Sequence, residues 1–209
     1  MDGIVIQLQA EALDDSINIE TLLRKAYLVA RKLKLKDFES WISSEQNGYE
    51  DEIPEYRKIS GQIKAWNPYH GWMPVIMQGT LADAVSRIPL KIPIAAISDA
   101  YNESEGTVTL TVPGAVTDFL NKNTDGFPTE YSFYSSKAEM HKIISAVRNK
   151  ILEWALLLEE NGIVGEGIDF SSVEKDVAAS SAVINNFTNN FYSDSDNTKI
   201  EQGNCTRSI

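Results

Sequence analysis

The sequence contains very few of the residues that build common catalytic and metal sites. Its 209 residues include one cysteine, Cys205, and two histidines, His70 and His141. A single cysteine cannot form an internal disulfide, and a thiol without a neighbouring base is not activated as a nucleophile. Neither histidine has a cysteine nearby or a His-x-x-x-His spacing. We therefore expect no metal site and no cofactor.

Two further catalytic patterns are missing. The segments GTLADAVS and VPGAVT lack the glycine and lysine pattern of a phosphate-binding loop, and no Gly-x-Ser-x-Gly elbow occurs. The sequence thus contains no recognisable nucleophile–base pair, metal cluster or phosphate loop. This favours a protein that is not an enzyme, although it leaves the question of catalysis open.

Long hydrophobic runs and positive charge are also scarce. No window approaches the roughly 20 apolar residues that span a bilayer, and the first fifteen residues do not resemble a signal peptide. We therefore expect a cytoplasmic protein without a transmembrane segment. Thirty acidic residues against nineteen basic ones give a net charge of −11. General nucleic-acid binding is not expected, because phosphate neutralisation needs clustered lysine and arginine.

The apolar residues that are present are sufficient for a core and are spaced for helices. The 43% hydrophobic content is typical of a soluble globular domain. Residues 19–35 and 37–47 show helical spacing, and their short connector predicts a helical hairpin. A capping box at Ser136 and Glu139 begins a third stripe, which predicts one long amphipathic helix up to Asn161.

Strand patterns lie between these helices. Apolar runs at 56–66 and 72–77 flank a turn and predict a β-hairpin, and the alternation TVTLTV at 107–112 predicts another strand. The fold class predicted is α+β. It comprises an N-terminal helical hairpin, a small mixed or antiparallel sheet and one long C-terminal helix, followed by a polar tail.

Composition predicts three segments. Residues 1–162 are expected to form the globular domain, 163–182 a linker, and 183–209 an Asn-rich polar tail that is flexible or forms a strand on association. The tail has few apolar residues, too few for a core of its own. An exposed alternating segment is a template for strand pairing between chains, so self-association is expected.

The stretch EQNGYEDEIPEYRK, residues 45–58, is the candidate functional site. Its successive carboxylates should point apart in an extended turn, so the main interpretation is a solvated turn, with a metal cluster, a catalytic cluster or a partner-binding surface as alternatives. Arg57 should form a bidentate pair with a carboxylate, for example Glu55, that fixes the helix-to-strand corner. A ligand-binding role for Arg57 is the alternative.

Residues 5–78 contain several uncommon residues in a fixed order. The strings LLRKAYLVARKLKLKDFESWISSEQNGY and IPEYRKISGQIKAW resemble the N-terminal region of AbiTii-like proteins of bacterial abortive-infection phage defence. The matching positions are Leu22, Leu23, Arg24, Lys25, Ala26, Trp41, Glu45, Asn47, Gly48, Tyr49, Pro54, Tyr56, Arg57 and Gly61. Gln46 departs from the pattern, because the family more often has leucine there.

The resemblance implies a role in an antiviral response in which the infected cell stops growing or dies. It implies no catalytic residues, and three hypotheses stay open. The protein acts by binding a protein partner or by self-assembly; it is a nuclease or nucleotide-processing toxin; or it is an adaptor or antitoxin for a neighbouring toxin. The weak catalytic candidates are Glu45, Glu52 and Arg57, with Tyr49 as a further one. The signature with a binding or structural role is Asn47, Gly48, Tyr49, Pro54, Tyr56 and Arg57.

Overall fold

The N-terminal third of the protein is helical. The computed structural model describes residues 3–77, 85–123 and 128–192. Its first helices are α1 (Ile4–Leu13), α2 (Ile19–Leu33) and α3 (Lys36–Asn47). The side chain of Asn18 accepts the N–H of Glu20 at 2.7 Å and caps α2, while Lys34 ends it in the left-handed conformation. The predicted helical hairpin is confirmed, and α1 was not predicted.

An antiparallel sheet follows these helices. Its strands are β1 (Lys58–Asn67), β2 (Gly71–Pro74), β3 (Arg87–Pro89), β4 (Thr107–Thr111) and β5 (Tyr131–Ser136). The strand order is β2-β1-β5-β4, and β3 pairs with the first three residues of β1. Strand β1 is central because it pairs with β2, β3 and β5. The predicted β-hairpin corresponds to β1 and β2.

Three further helices complete the main core. They are α4 (Ile94–Glu103), α5 (Gly114–Lys122) and α6 (Lys137–Glu160). Helix α6 has 24 residues, which corresponds to about 36 Å, and it packs against α1, α2 and α4. The buried guanidinium of Arg148 in α6 donates to the carbonyl oxygens of Glu11, Asp14 and Ile17, so it satisfies backbone groups at the end of α1.

The start of α6 differs from the sequence prediction. Ser136 precedes the helix but makes no capping hydrogen bond with its side chain. Glu139, the other expected member of a capping box, instead accepts the backbone N–H of Ser60 at 2.8 Å. The carboxylate therefore ties α6 to β1, and a contact between distant segments replaces the expected local one.

Composition predicts a linker at residues 163–182 and a tail at 183–209, and the structure describes this part of the chain up to residue 192. This segment contains α7 (Ser172–Ser180), α8 (Ala182–Asn185) and a 3₁₀ turn (Phe187–Phe191). Its buried residues are Ile163, Phe170, Ala178, Ile184, Thr188 and Phe191. They pack onto a core that already exists, so few apolar residues suffice. The domain boundaries stay a prediction, and residues 193–209 lie outside the described ranges.

No helix within the described ranges is both long enough and apolar enough to cross a membrane. The longest, α6, is amphipathic: it buries Trp154 and Leu158, yet it exposes Lys142 and Glu153. Its length is explained by the number of elements it contacts, since it packs against α1, α2 and α4 and also touches β1 and β5.

Candidate functional site

The corner between α3 and β1 is built on Gly48. Helix α3 ends at Asn47, and Gly48 follows with φ of 97°, a conformation that residues with a side chain rarely adopt. The chain then turns so that the N–H of Tyr49 donates to the carbonyl oxygen of Lys91 at 2.8 Å. This bond joins the corner to the segment after β3, as does the N–H of Leu90, which donates to the carbonyl oxygen of Arg57 at 2.9 Å.

Substitution of Gly48 by alanine is expected to lower the free energy of unfolding by more than about 1 kcal/mol. A Cβ atom there would lie 2.7 Å from the carbonyl oxygen of Lys91, in addition to the strain of the positive φ. Urea denaturation measures the change. Gly114→Ala is the control, because no atom lies within 4 Å of its added Cβ. Equal effects of the two substitutions would contradict this account of the corner.

Glu45 and Arg57 form a buried ion pair at this corner. Both side chains are 0% exposed. Arg57 donates from Nη2 to Oε2 of Glu45, and from Nε to Oε1 at 3.3 Å. Its Nη1 donates to the carbonyl oxygen of Ile92 at 2.8 Å. The bidentate geometry expected of Arg57 is present, but its partner is Glu45 rather than Glu55.

Two tyrosines complete the surroundings of the Glu45 carboxylate. The hydroxyls of Tyr49 and Tyr56 both donate to Oε1 of Glu45 at 2.6 Å. The indole Nε1 of Trp41 donates in turn to the Tyr56 hydroxyl at 2.8 Å. Four donors therefore reach one carboxylate, and Arg57 also lies 5.1 Å from the ring centroid of Tyr49. A buried polar network satisfied in this way fixes one arrangement of the chain.

The surroundings also disfavour ionisation of the two tyrosines. Burial is the largest cause that raises the pKa of Tyr49 and of Tyr56 above the ordinary value near 10, and the negative charge of Glu45 adds to it. For Arg57, burial works against the charged form, but the attraction of Glu45 outweighs it and the pKa is raised. The network thus holds a neutral tyrosine pair around one carboxylate–guanidinium pair.

Alkaline pH is expected to destabilise the protein through these tyrosines. Their contribution is fully present below the unfolded pKa near 10, and it is lost as the pH rises above it, because only the unfolded chain then releases the protons. Each tyrosine contributes a slope of about 1.4 kcal/mol per pH unit. Tyr49→Phe should reduce the slope of unfolding free energy against pH by that amount above pH 10, as measured by urea denaturation at a series of pH values.

The remaining candidates lie outside the network. Glu52 is exposed, as are Glu50 and Asp51 beside it. Asn47 is exposed and donates from Nδ2 to the carbonyl oxygen of Ser43 at 2.8 Å. Pro54 is buried and accepts the N–H of Arg57 at 2.9 Å. Glu55, the expected partner of Arg57, pairs instead with Lys58 and Arg87.

The acids of the corner do not converge on one point. Among the residues that the structure describes, no group of three or more histidine, cysteine, aspartate or glutamate side chains is placed to hold a metal ion. A shallow depression of about 350 Å³ lies on the outer surface of the corner, and its lining includes Tyr49, Glu52 and Tyr192 but neither Glu45 nor Arg57. The sequence did not indicate that Trp41 and the Ile92 carbonyl belong to the network.

The same corner carries several of the residues by which the sequence resembles a known family. A family model, AbiTii, matches residues 3–183, which covers every described helix and strand up to the start of α8. The protein belongs to the AbiTii family. Membership associates this AbiTii protein with abortive-infection defence against phage. No curated protein and no solved structure matches the chain.

Proposed function

We propose that this AbiTii protein is a cytoplasmic component of a bacterial abortive-infection system that acts by binding or assembly rather than by catalysis. The supporting observation is the complete burial of Glu45 and Arg57, the two charged candidates that meet at the corner. A catalytic acid or base must come within hydrogen-bond distance of its substrate. Here the donors around Glu45 are all supplied by the protein itself.

The exposed acidic turn is the surface we assign to a protein partner. Glu50, Asp51 and Glu52 are consecutive and exposed, and they directly follow the buried Tyr49. An acidic surface favours association with a basic partner and accelerates it. The net charge of −11 acts in the same direction. The buried network thereby serves to hold this turn at a defined place on the surface.

The two alternative functions, a toxin enzyme and an adaptor or antitoxin, have different structural requirements. A toxin enzyme with its site at the Glu45–Arg57 corner requires that the network open to admit a substrate, and the depression beside it is not lined by either residue. An adaptor or antitoxin requires a stoichiometric complex with a neighbouring toxin. Co-purification with proteins encoded beside it tests this third function directly.

A phage-challenge assay, scored by cell survival and collapse of the culture, tests the proposal. Charge reversal of the turn, Glu50→Lys with Asp51→Lys and Glu52→Lys, is expected to abolish protection while the thermal transition is kept, because all three side chains are exposed. Tyr49→Phe is the matched variant at the buried network, and it should keep protection. Loss of protection in a folded Tyr49→Phe protein, with protection kept after charge reversal, would instead support the enzyme.

A further inference from the structure

The sheet has one face that does not contribute to the core. Side chains alternate between the faces of a strand; in β1, Ile59 and Ile63 are buried, whereas Gln62 and Trp66 are exposed. The strand register places the corresponding residues of the other strands beside them. We call this surface the open sheet face, formed by Gln62, Lys64, Trp66, Trp72, Tyr134, Thr107, Thr109 and Thr111.

Aromatic rings form a row across three strands of the open sheet face. Trp66 and Trp72 are directly opposite in the β1–β2 register, with ring centroids 5.4 Å apart. Tyr134 in β5 follows, 6.0 Å from Trp72. Trp66 is 44% exposed. Large aromatic side chains grouped on a solvent-facing surface are typical of binding sites rather than of a fold requirement.

The charge of the strands is opposite to that of the whole protein. The five strands carry three basic residues, Lys58, Lys64 and Arg87, and no acidic residue, although the chain contains thirty acids. The ammonium of Lys64 lies 4.1 Å from the ring centroid of Tyr134, within the aromatic row. Lys58 and Arg87, where β1 pairs with β3, are each engaged by the carboxylate of Glu55, so Lys64 is the base that lies within the row. The sheet is therefore the part of this acidic molecule that is suited to an anionic ligand.

We propose that the open sheet face binds single-stranded nucleic acid. Trp66 stacks on a base and Lys64 contacts a phosphate. Aromatic rings on the face of a four-stranded sheet stack on unpaired bases in other nucleic-acid-binding domains, and this stacking is largely independent of sequence. The exposed hydroxyls of Thr109 and Thr111 add hydrogen-bond donors next to the row. A neutral sugar would use the rings and hydroxyls but has no use for the ammonium of Lys64 within the aromatic row, so this charge favours a polyanion.

The net charge limits the strength of this binding. Nucleic acid is repelled by the rest of the surface, which agrees with the expectation that general coating does not occur. A dissociation constant on the order of 10 to 100 µM is expected, in the range of non-specific contacts. With Lys64 as the base that contacts a phosphate, log K should fall against log salt concentration with a slope of about −0.7 for a single strand. The protein is proposed above to act by binding, and this inference names a class of ligand. It rests on the proposed function only for the biological role of the binding.

Fluorescence anisotropy of labelled 12-nucleotide oligo-dT and oligo-U, titrated with the full-length protein, tests the inference. Trp66→Ala is expected to weaken binding at least about fivefold, from the loss of one stacked base. Phe119→Ala is the control, since Phe119 is similarly exposed at 46% but lies in α5. Trp66→Phe should keep most of the affinity because a ring remains. Unchanged thermal transitions show that all variants are folded.

A pair of charge reversals locates the phosphate contact. Lys64→Glu should weaken binding, whereas Lys36→Glu, which makes the same change in charge on an exposed residue of α3, should have a much smaller effect. Three outcomes would overturn the inference: no binding at low salt, equal affinities for Trp66→Ala and Phe119→Ala, or a larger loss from Lys36→Glu than from Lys64→Glu. Trp66-dependent binding of a neutral oligosaccharide, without oligonucleotide binding, would also overturn it. None of these outcomes bears on protection against phage.

Discussion

Substitution of Arg57 by alanine is expected to remove about 3 to 5 kcal/mol from the free energy of unfolding. The carboxylate of Glu45 would then remain fully buried without its counter-ion, and the two tyrosine hydroxyls cannot neutralise it. The carbonyl oxygen of Ile92 would also lose its donor. A typical domain has only about 5 to 15 kcal/mol of stability, so the variant should be close to unfolding. Urea denaturation followed by circular dichroism measures the loss.

Two comparisons distinguish the ion pair from a general sensitivity of this segment. Lys58→Ala, one residue further along, removes a partly exposed member of a surface pair and should change stability by less than about 1 kcal/mol. Arg57→Lys keeps the charge but cannot make the bidentate contact, so it should lose less than alanine and remain foldable. A loss below about 1 kcal/mol for Arg57→Ala would mean that the pair does not hold the corner.

The double variant Glu45→Leu with Arg57→Met adds a second constraint. It leaves no unpaired charge in the core, and replacement of a buried ion pair by apolar residues is often close to neutral. We expect it to be more stable than Arg57→Ala alone. Such a result would show that most of the stability lost in Arg57→Ala comes from the buried carboxylate of Glu45, which is left without a counter-ion. A fully stable and folded double variant that no longer protects cells would instead implicate the pair in ligand binding.

The sequence predicted the elements whose signals are local. The apolar spacing of residues 19–35 and 37–47 depends on residues within a few positions of one another, and the structure contains a helix in each range. The long helix α6 was predicted for the same reason. Local patterns determine where a helix can begin and end, because capping and left-handed conformations involve only nearby backbone groups.

Contacts between distant segments were not predictable in this way. Glu45 and Glu55 were both available to Arg57, and the nearer one in sequence was the obvious partner. The structure selects Glu45, since α3 and the 3₁₀ turn at Arg57 bring these side chains together in the core. Glu139 shows the same effect, because its carboxylate binds the backbone of Ser60 rather than that of its own helix. The short strand β3 exists only through its pairing with β1.

Removal of residues 163–209 is expected to abolish cooperative folding, although composition predicts a linker and a tail there. The ring of Phe38 stacks on that of Trp154, with ring centroids 3.9 Å apart, and its centroid lies 6.0 Å from that of Phe187. The ring centroids of Trp41 and Phe191 are 5.3 Å apart. Truncation would expose these tryptophans. It would also remove Ile163, Phe170, Ile184 and Phe191, all of them buried. At about 1.5 to 3 kcal/mol each, their loss amounts to about 6 to 12 kcal/mol, comparable with the whole stability of a domain.

A second truncation, which keeps residues 1–192, tests whether the packed residues 163–192 account for the loss of stability. This chain retains the residues of α7, α8 and the 3₁₀ turn that are buried, so its thermal transition should stay within a few degrees of that of the full-length protein. The chain that ends at Gly162 should show no cooperative transition and should bind a hydrophobic dye. If residues 1–162 alone showed a cooperative transition near the full-length value, the prediction of a linker and a tail at residues 163–209 would be supported. The position of Phe191 against Trp41 makes that outcome unexpected, because Trp41 also donates to Tyr56 and so connects this segment to the Glu45 network.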